Sequence, residues 1–261
     1  MNILVLKLIL APLIIGSASL AGRRWGAAIS GWLVGLPLTS GPVAFFLALS
    51  HDKPFVADAI RGTLSGGFSL VAFTLTYAWM SKRFNWMISI LASTLVFAGF
   101  TALMRTVVNP LIPLFFYVIA AILLGLWCMP KYIQTEIVAP PGKWDIPARI
   151  LIGTSFILLI TEIAPYIGPR LTGLLTTVPL FVSILTIFAH RHQGHTGAAG
   201  VLHGLLLGLF SFAGFYLTLG LLIEKSSIGV AFGAAILSTL VIQGVSLLIL
   251  NRNNKKATYP Q

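Results

Sequence analysis

Two four-helix units of opposite orientation, joined by a fifth membrane helix, are the architecture that this sequence predicts: an all-α polytopic membrane protein of about nine spans. Its 261 residues are 57% hydrophobic and only 9% charged, with a mean hydropathy of +0.95, a composition outside the range of water-soluble globules. Apolar runs of about 20 residues, the length needed to cross the hydrocarbon of a bilayer, recur along the chain. A pattern of glycine, proline and aromatic residues also returns after 142 positions.

Taken in order, the spans are expected at about 3–21, 25–48, 55–80, 86–104, 110–128, 148–167, 170–189, 198–223 and 228–250. Met1 to Gly22 resembles a signal peptide, with Lys7 ahead of an apolar run and small residues from Ser17 to Ala21. Export would leave Arg23 and Arg24 on the outer face, against the charge bias described below, so the segment is read as a first membrane helix. The longest polar connection, Lys131 to Ala148, holds Pro140, Pro141, Gly142 and both signs of charge, and is read as the linker between two halves. The organisation is then 1–106 for the first four-helix repeat, 107–147 for the linking helix and linker, 148–251 for the second repeat, and 252–261 for a tail.

The repeat rests on one continuous register. Gly31 pairs with Gly173, Leu33 with Leu175, Pro37 with Pro179 and Phe46 with Phe188. The same offset pairs Gly62 with Gly204, Gly66 with Gly208, Ser69 with Ser211, Phe73 with Phe215 and Thr76 with Thr218. After a small insertion, Ser93-Thr94-Leu95-Val96 returns as Ser238-Thr239-Leu240-Val241. Apolar composition alone generates chance matches, but not a glycine, proline and aromatic pattern held in register over 46 positions. Five spans separate equivalent points, an odd number, so the two repeats are expected to be inverted.

An odd number of spans places the termini on opposite faces. Eleven basic residues fall on the C-terminal face: Arg23, Arg24, Lys82, Arg83, Lys131, Lys143, Arg149, Arg191, Arg252, Lys255 and Lys256. Lys53, Arg105, Arg170 and Lys225 fall on the other, with Lys7 and Arg61 near it. The positive-inside rule then makes the C-terminus cytoplasmic and the N-terminus external. Trp25, Trp79, Trp86, Trp127 and Trp144 all lie at cytoplasmic span ends in that arrangement, and only Trp32 lies deeper. The formal charge of +11 is thus topological: the 17 basic residues are scattered between spans and form no nucleic-acid-binding run. The expected partners are the lipid bilayer and a small-molecule solute, with a homodimer compatible with the sequence and no role for nucleic acid.

The candidate site is the interrupted second span, Gly31 to Pro42, GWLVGLPLTSGP. Pro37 and Pro42 each remove a backbone donor. Carbonyls released at membrane depth persist where they are buried in protein or line a polar cavity, and Thr39, Ser40 and Gly41 stand beside them. Pro179, with Thr176 and Thr177, repeats the arrangement in the second half. Interrupted spans at equivalent positions of inverted repeats are where secondary transporters hold solute, through exposed helix ends. The alternative is a pair of proline kinks whose hydroxyls bond between helices.

Arg61, about two turns inside the third span, is a further candidate because a charge there is expensive to hold. It would attract an anion, or pair with Asp58 three residues earlier and snorkel outward. His203 is its equivalent in the second half, read as a proton carrier or as a hydrogen-bonded packing residue. Glu162, followed by Pro165, is the second proton-coupling candidate if buried, or an interfacial partner of Arg170. Gln243 is read as interhelical glue. His190, His192 and His195 in AHRHQGH lack an acid or cysteine to complete a metal site, so no metal or other cofactor is expected. Cys128 is the single cysteine, which excludes an intrachain disulfide. Neither a phosphate-binding Gly-Lys-Ser/Thr loop nor HExxH nor Gly-x-Ser-x-Gly occurs, so no enzymatic activity and no catalytic residue is expected.

At GRRWGAAISG with GLPLTSGPVAFFLAL in the first half, and GPRLTG with TVPLFVSILTIFAH in the second, each four-span half resembles the small GlpM-type bacterial inner-membrane proteins, which have roughly one such repeat. The resemblance implies a bacterial inner-membrane protein made by duplication and fusion, and assigns no catalytic residue. The added fifth span and second copy depart from that pattern.

Overall fold

The computed structural model describes residues 3–25, 36–107, 109–130 and 145–258, with side chains except at 3, 18, 19, 21–25, 145 and 246–258. The first part of the interrupted second span, Trp32 and most of the polar linker lie outside the described residues. Every regular element among them is helical: α1 (Ile3–Trp25), α2 (Ser40–Ser50), α3 (Lys53–Met80), α4 (Trp86–Thr106), α5 (Leu111–Cys128), α6 (Asp145–Ile167), α7 (Pro169–Leu175), α8 (Leu180–Leu222) and α9 (Ile228–Thr258).

Local chemistry sets the boundaries. Pro54 sits in the first turn of α3, where a missing amide hydrogen costs nothing. The Asn85 side chain accepts from the Ile88 amide at 3.0 Å and starts α4. Gly168 precedes α7 at φ 83°, ψ 162°, and Gly194 interrupts α8 at φ 68°, ψ −159°. Both are conformations that only glycine adopts without strain. Gly194 divides α8 into 180–193 and 195–222, and the chain reverses there: Arg170 reaches the Met104 carbonyl, His190 meets Tyr77, and Lys53 binds the carbonyls of Glu224 and Ser226.

The bundle therefore has two ends. One gathers the 51–52 turn, the end of α4, Gly168 and the 223–227 turn. The other gathers the 81–85 turn, the end of α5 and the Gly194 reversal, joined by the Trp79 indole donating to the Cys128 carbonyl at 3.0 Å and by Arg191 over the Trp86 ring.

Packing is organised around α3, which contacts α4, α5, α7 and α8. Seventeen of its 28 residues are buried, among them Ile60, Leu64, Phe73 and Tyr77. Against them lie Leu114, Val118 and Ile122 of α5, Leu174 of α7, and Leu202, Leu206, Tyr216 and Leu219 of α8. α1 and α6 form a second pair, close at Gly16 and Gly153, with α2 against both. The periphery is apolar: α4 exposes Leu91, Leu95 and Leu103, and α5 exposes Phe116, Leu123 and Leu124.

Five segments among the described residues are long and apolar enough to cross a membrane: Trp86–Thr106, Leu111–Cys128, Ile146–Ile167, Pro169–Leu222 and Ile228–Val245. Leu4–Ser17 and Ser40–Ser50 are shorter apolar helices among the described residues. α3 is rich in Gly, Ser and Thr and surrounded by other helices, so its composition answers to protein contacts rather than lipid. Pro169–Leu222 is one 54-residue apolar segment, broken at 176–179 and reversed at Gly194.

Candidate functional site

The second break is fixed by a backbone-to-backbone crossing of α3 and α7. A Cβ on Gly62 would fall on the Arg170 carbonyl, one on Gly173 on the Ala59 carbonyl, and one on Gly66 on the Thr177 side chain. Gly62 and Gly66, four residues apart, present one open face of α3, and Gly173 answers from α7, which is how small residues let membrane helices approach. The approach brings Thr63 Oγ1 within 3.2 Å of Thr176 Oγ1. Thr63 Oγ1 also lies 2.9 Å from the Ala59 carbonyl, and Thr176 Oγ1 lies 2.6 Å from that of Gly173. Each hydroxyl has one proton, so at most two of these three contacts carry a hydrogen bond at once. Thr177 donates to the Leu174 carbonyl at 2.7 Å. Both threonines are buried, and α8 starts afresh after Pro179.

The first break lies against a different partner. Gly41 and Val43 donate to the carbonyls of Pro37 and Thr39 at 2.8 and 3.2 Å, closing the first turn of α2. Thr39 makes no side-chain cap, and Ser40 is buried. A Cβ on Gly41 would lie 3.8 Å from the Phe215 ring, so this break packs on 195–222, whereas Thr176 to Pro179 follow the α7 crossing with α3. The Tyr216 side chain is fully buried, with its hydroxyl beside Ser40. Pro37, Thr39, Ser40 and Gly41 are thus brought together with Phe215 and Tyr216, and Thr176 and Thr177 with Thr63 and Gly66.

The charged candidates sit at one end. Arg61 Nη1 binds Asp58 Oδ1 at 2.5 Å, with side chains 37% and 54% exposed. Arg170 feels both, and its Nε is buried without a partner. Arg61 is thus the guanidinium paired with Asp58, while Arg170 donates to the Met104 carbonyl at 3.3 Å. Glu162 is exposed instead of buried, and its partner is not Arg170: Lys7 Nζ lies 3.1 Å from Glu162 Oε1, joining α1 to α6. The lysine is the buried member of that pair. His203 is half-buried on 195–222, and Gln243 is buried on α9. His190 Nδ1 lies 3.3 Å from the Tyr77 hydroxyl, and His192 stacks on Phe188. Among the described residues no three His, Cys, Asp or Glu side chains converge as a metal site would require.

Tyr216, Thr63 and Lys7 are the members that sequence reasoning misses. Gly62 and Gly66 at four-residue spacing could have marked Thr63 as a crossing residue. Nothing local marks Lys7, 155 residues from its partner, or Tyr216, which follows Phe215 in an apolar run.

These features define an all-helical protein, among the described residues, whose apolar helices fit a bilayer and whose interior holds two proline-containing non-helical stretches, 36–39 and 176–179, with buried hydroxyls beside them. The chain matches no family model, no curated protein and no solved structure.

Proposed function

We propose that this protein is an integral-membrane secondary transporter, a permease or exporter of a small solute, built from two inverted four-helix repeats around a central helix. The observation that carries the reading is the pair of helix breaks beside Pro37 and Pro179, 142 residues apart. Helix bounds support the repeat: α1 and α6 start and end 142 residues apart, as do α3 and 195–222, and α4 and α9 begin 142 residues apart. Lys7 and Arg149, buried cations one turn into α1 and α6, keep the same offset. Breaks at equivalent depth expose helix ends near the midplane, and rocking of one repeat against the other would open them alternately to each side. Arg61 with Arg170 would favour an anion at the entrance.

In this reading the N-terminus is external and the C-terminus cytoplasmic, in a bacterial inner membrane. The decisive experiment is accessibility in a Cys128→Ser background, since Cys128 is exposed. Ser40→Cys and Thr177→Cys should react with an impermeant thiol reagent from either face of oriented vesicles, with reaction from one face excluding the other. Protection from both faces in folded protein would reject transport. A lipid-handling or accessory role is favoured by one observation only, that Thr176 and Thr177 already bond to their own turn.

A further inference from the structure

We infer that an anionic phospholipid is bound in a lateral groove between α4 and α5, with one acyl chain along α3 and its phosphate at the 81–85 turn. The inference goes beyond the transport reading and does not depend on it, since it needs only a bilayer around the apolar helices.

The groove follows from how three helices meet. α4 and α5 each pack on α3, with no comparable packing of one on the other. α5 is met by Gly67, where an added Cβ would fall on Val118, and by Val71, which crowds Gly125. α4 is met by Ser69, which accepts from Thr101 Oγ1 at 3.1 Å. Between those two contact lines one face of α3 stays open. Phe68, Ala72, Leu75 and Trp79 follow one another at the four- and three-residue steps of a single helix face. The first three are half-buried and Trp79 is 53% exposed, although Val71, Phe73, Thr74 and Ala78 beside them are buried. Phe68 to Trp79 covers about 16 Å of helix axis. That is about half of the ~30 Å hydrocarbon core, the depth that the chain of a lipid in one leaflet occupies. Gly62 and Gly66 lie on another face of α3, so the groove stands apart from the α3–α7 crossing.

The groove ends at a corner that holds cations without carboxylates. Lys82 Nζ lies 4.7 Å from the centre of the Trp79 ring, and the Arg191 guanidinium lies 5.8 Å from that of Trp86, the two tryptophans flanking the 81–85 turn. Such contacts hold the side chains in place and leave their charge uncompensated. Arg83 is exposed in the same turn. The start of α4, with no acidic residue in its first turn, adds the positive end of a helix dipole. Asp52, Asp58, Glu162 and Glu224, the carboxylates among the described side chains, all belong to the opposite end. The Trp79 indole, bonded to the Cys128 carbonyl of α5, joins corner and groove. A phosphodiester there would meet these cations while its hydrocarbon ran over Leu75, Ala72 and Phe68. A water-soluble phosphate would use the corner alone, and a zwitterionic lipid would bring its own ammonium against the cations. Charge and groove together therefore select a lipid of net negative charge.

Phosphatidylglycerol is the probe, with phosphatidylcholine of the same acyl chains as the zwitterionic control and glycerol 3-phosphate as the control without chains. Purified full-length protein, delipidated in detergent, should show a saturable rise in melting temperature with phosphatidylglycerol and with neither control. Lys82→Gln combined with Arg191→Gln, both at exposed positions, should need about tenfold more phosphatidylglycerol, or more, for half-saturation. Ala72→Phe keeps every cation and fills the groove, and should lose the shift. Leu237→Phe, on the exposed side of α9, should keep it. Leu75→Trp makes the groove test should Ala72→Phe not fold. An equal response to phosphatidylcholine, or an unchanged response in the double variant, overturns the inference at the headgroup. An unchanged response in the groove variant, or an equal shift with glycerol 3-phosphate, overturns it at the chain and leaves only attraction of anions to a basic end. A dimer in detergent that excludes phosphatidylglycerol and that the groove variant dissociates would put a second copy in the groove, and overturns it too. None of these outcomes alters the two-faced thiol reaction that tests transport.

Discussion

At single residues, the α3–α7 crossing makes the sharpest demands. An added methyl is tolerated only where the neighbour can move; at Gly62 and Gly173 the neighbours are carbonyls of helices that cannot yield without displacing a turn. Gly62→Ala and Gly173→Ala should each destabilise by about 1–3 kcal/mol, the usual range for overpacking. Gly214→Ala should cost less, because it meets the end of the Ile242 side chain. Gly99→Ala meets nothing within 4 Å and should be neutral or stabilising through helix propensity. Thermal denaturation in one detergent ranks all four. The Lys7–Glu162 pair is asymmetric, with side chains 6% and 68% exposed. Glu162→Gln should destabilise more than Lys7→Met, since the first strands a buried ammonium and the second leaves an exposed carboxylate. Equal losses would mean that the pair is solvated as a unit. For Asp58 and Arg61, an exposed pair three residues apart, a double-mutant cycle should give a coupling below about 1 kcal/mol. A larger value would tie Arg61 to Asp58 and remove it from anion recruitment.

At the level of helices, the two breaks and the two left-handed glycines decide where the chain stops and turns. Gly168 and Gly194 have open space around them, yet both hold positive φ. Gly168→Ala and Gly194→Ala should therefore lose about 1–3 kcal/mol by backbone strain alone, with no steric clash to relieve. A compensating second-site change in a neighbouring side chain should not rescue either variant, which distinguishes them from Gly62→Ala. α3 shows the other side of element design. Its threonines and serines return protons to their own helix, as Thr74 does to Leu70 at 2.7 Å and Ser65 to Arg61 at 2.9 Å. This satisfaction lets a relatively polar helix stand at the centre of an apolar bundle.

For the molecule as a whole, the contacts between elements separate the turns into two sets, one at each end. That division puts Lys53 and Arg170 at one end and Lys82 and Arg191 at the other. Reporter fusions at Gln261 and in the Ser50–Lys53 turn should give opposite signals, with the C-terminal fusion cytoplasmic, because eleven basic residues map to that face. Matching signals would remove the odd number of spans and with it the inversion of the repeats.

The sequence by itself determined the helical class, the apolar periphery, the breaks at Pro37 and Pro179 and the start of most helices. These depend on neighbours in the chain: hydropathy over one span, a missing amide at proline, an Asn85 or Pro54 at a helix start. It also brought the Asp58–Arg61 pair into view, three residues apart on one helix. The tertiary structure decided what the breaks touch. Which helix faces Gly62 and Gly66, that Lys7 and not Arg170 binds Glu162, and that Tyr216 stands beside Ser40 all depend on groups more than a hundred residues apart. In an apolar chain the hydropathy pattern says that a helix is inserted but hardly which face meets which neighbour, because lipid and packed protein are nearly equal as surroundings for Leu, Ile and Phe. Close approach at glycine and the placing of single hydrogen bonds make that choice, and they exist only once the helices are packed.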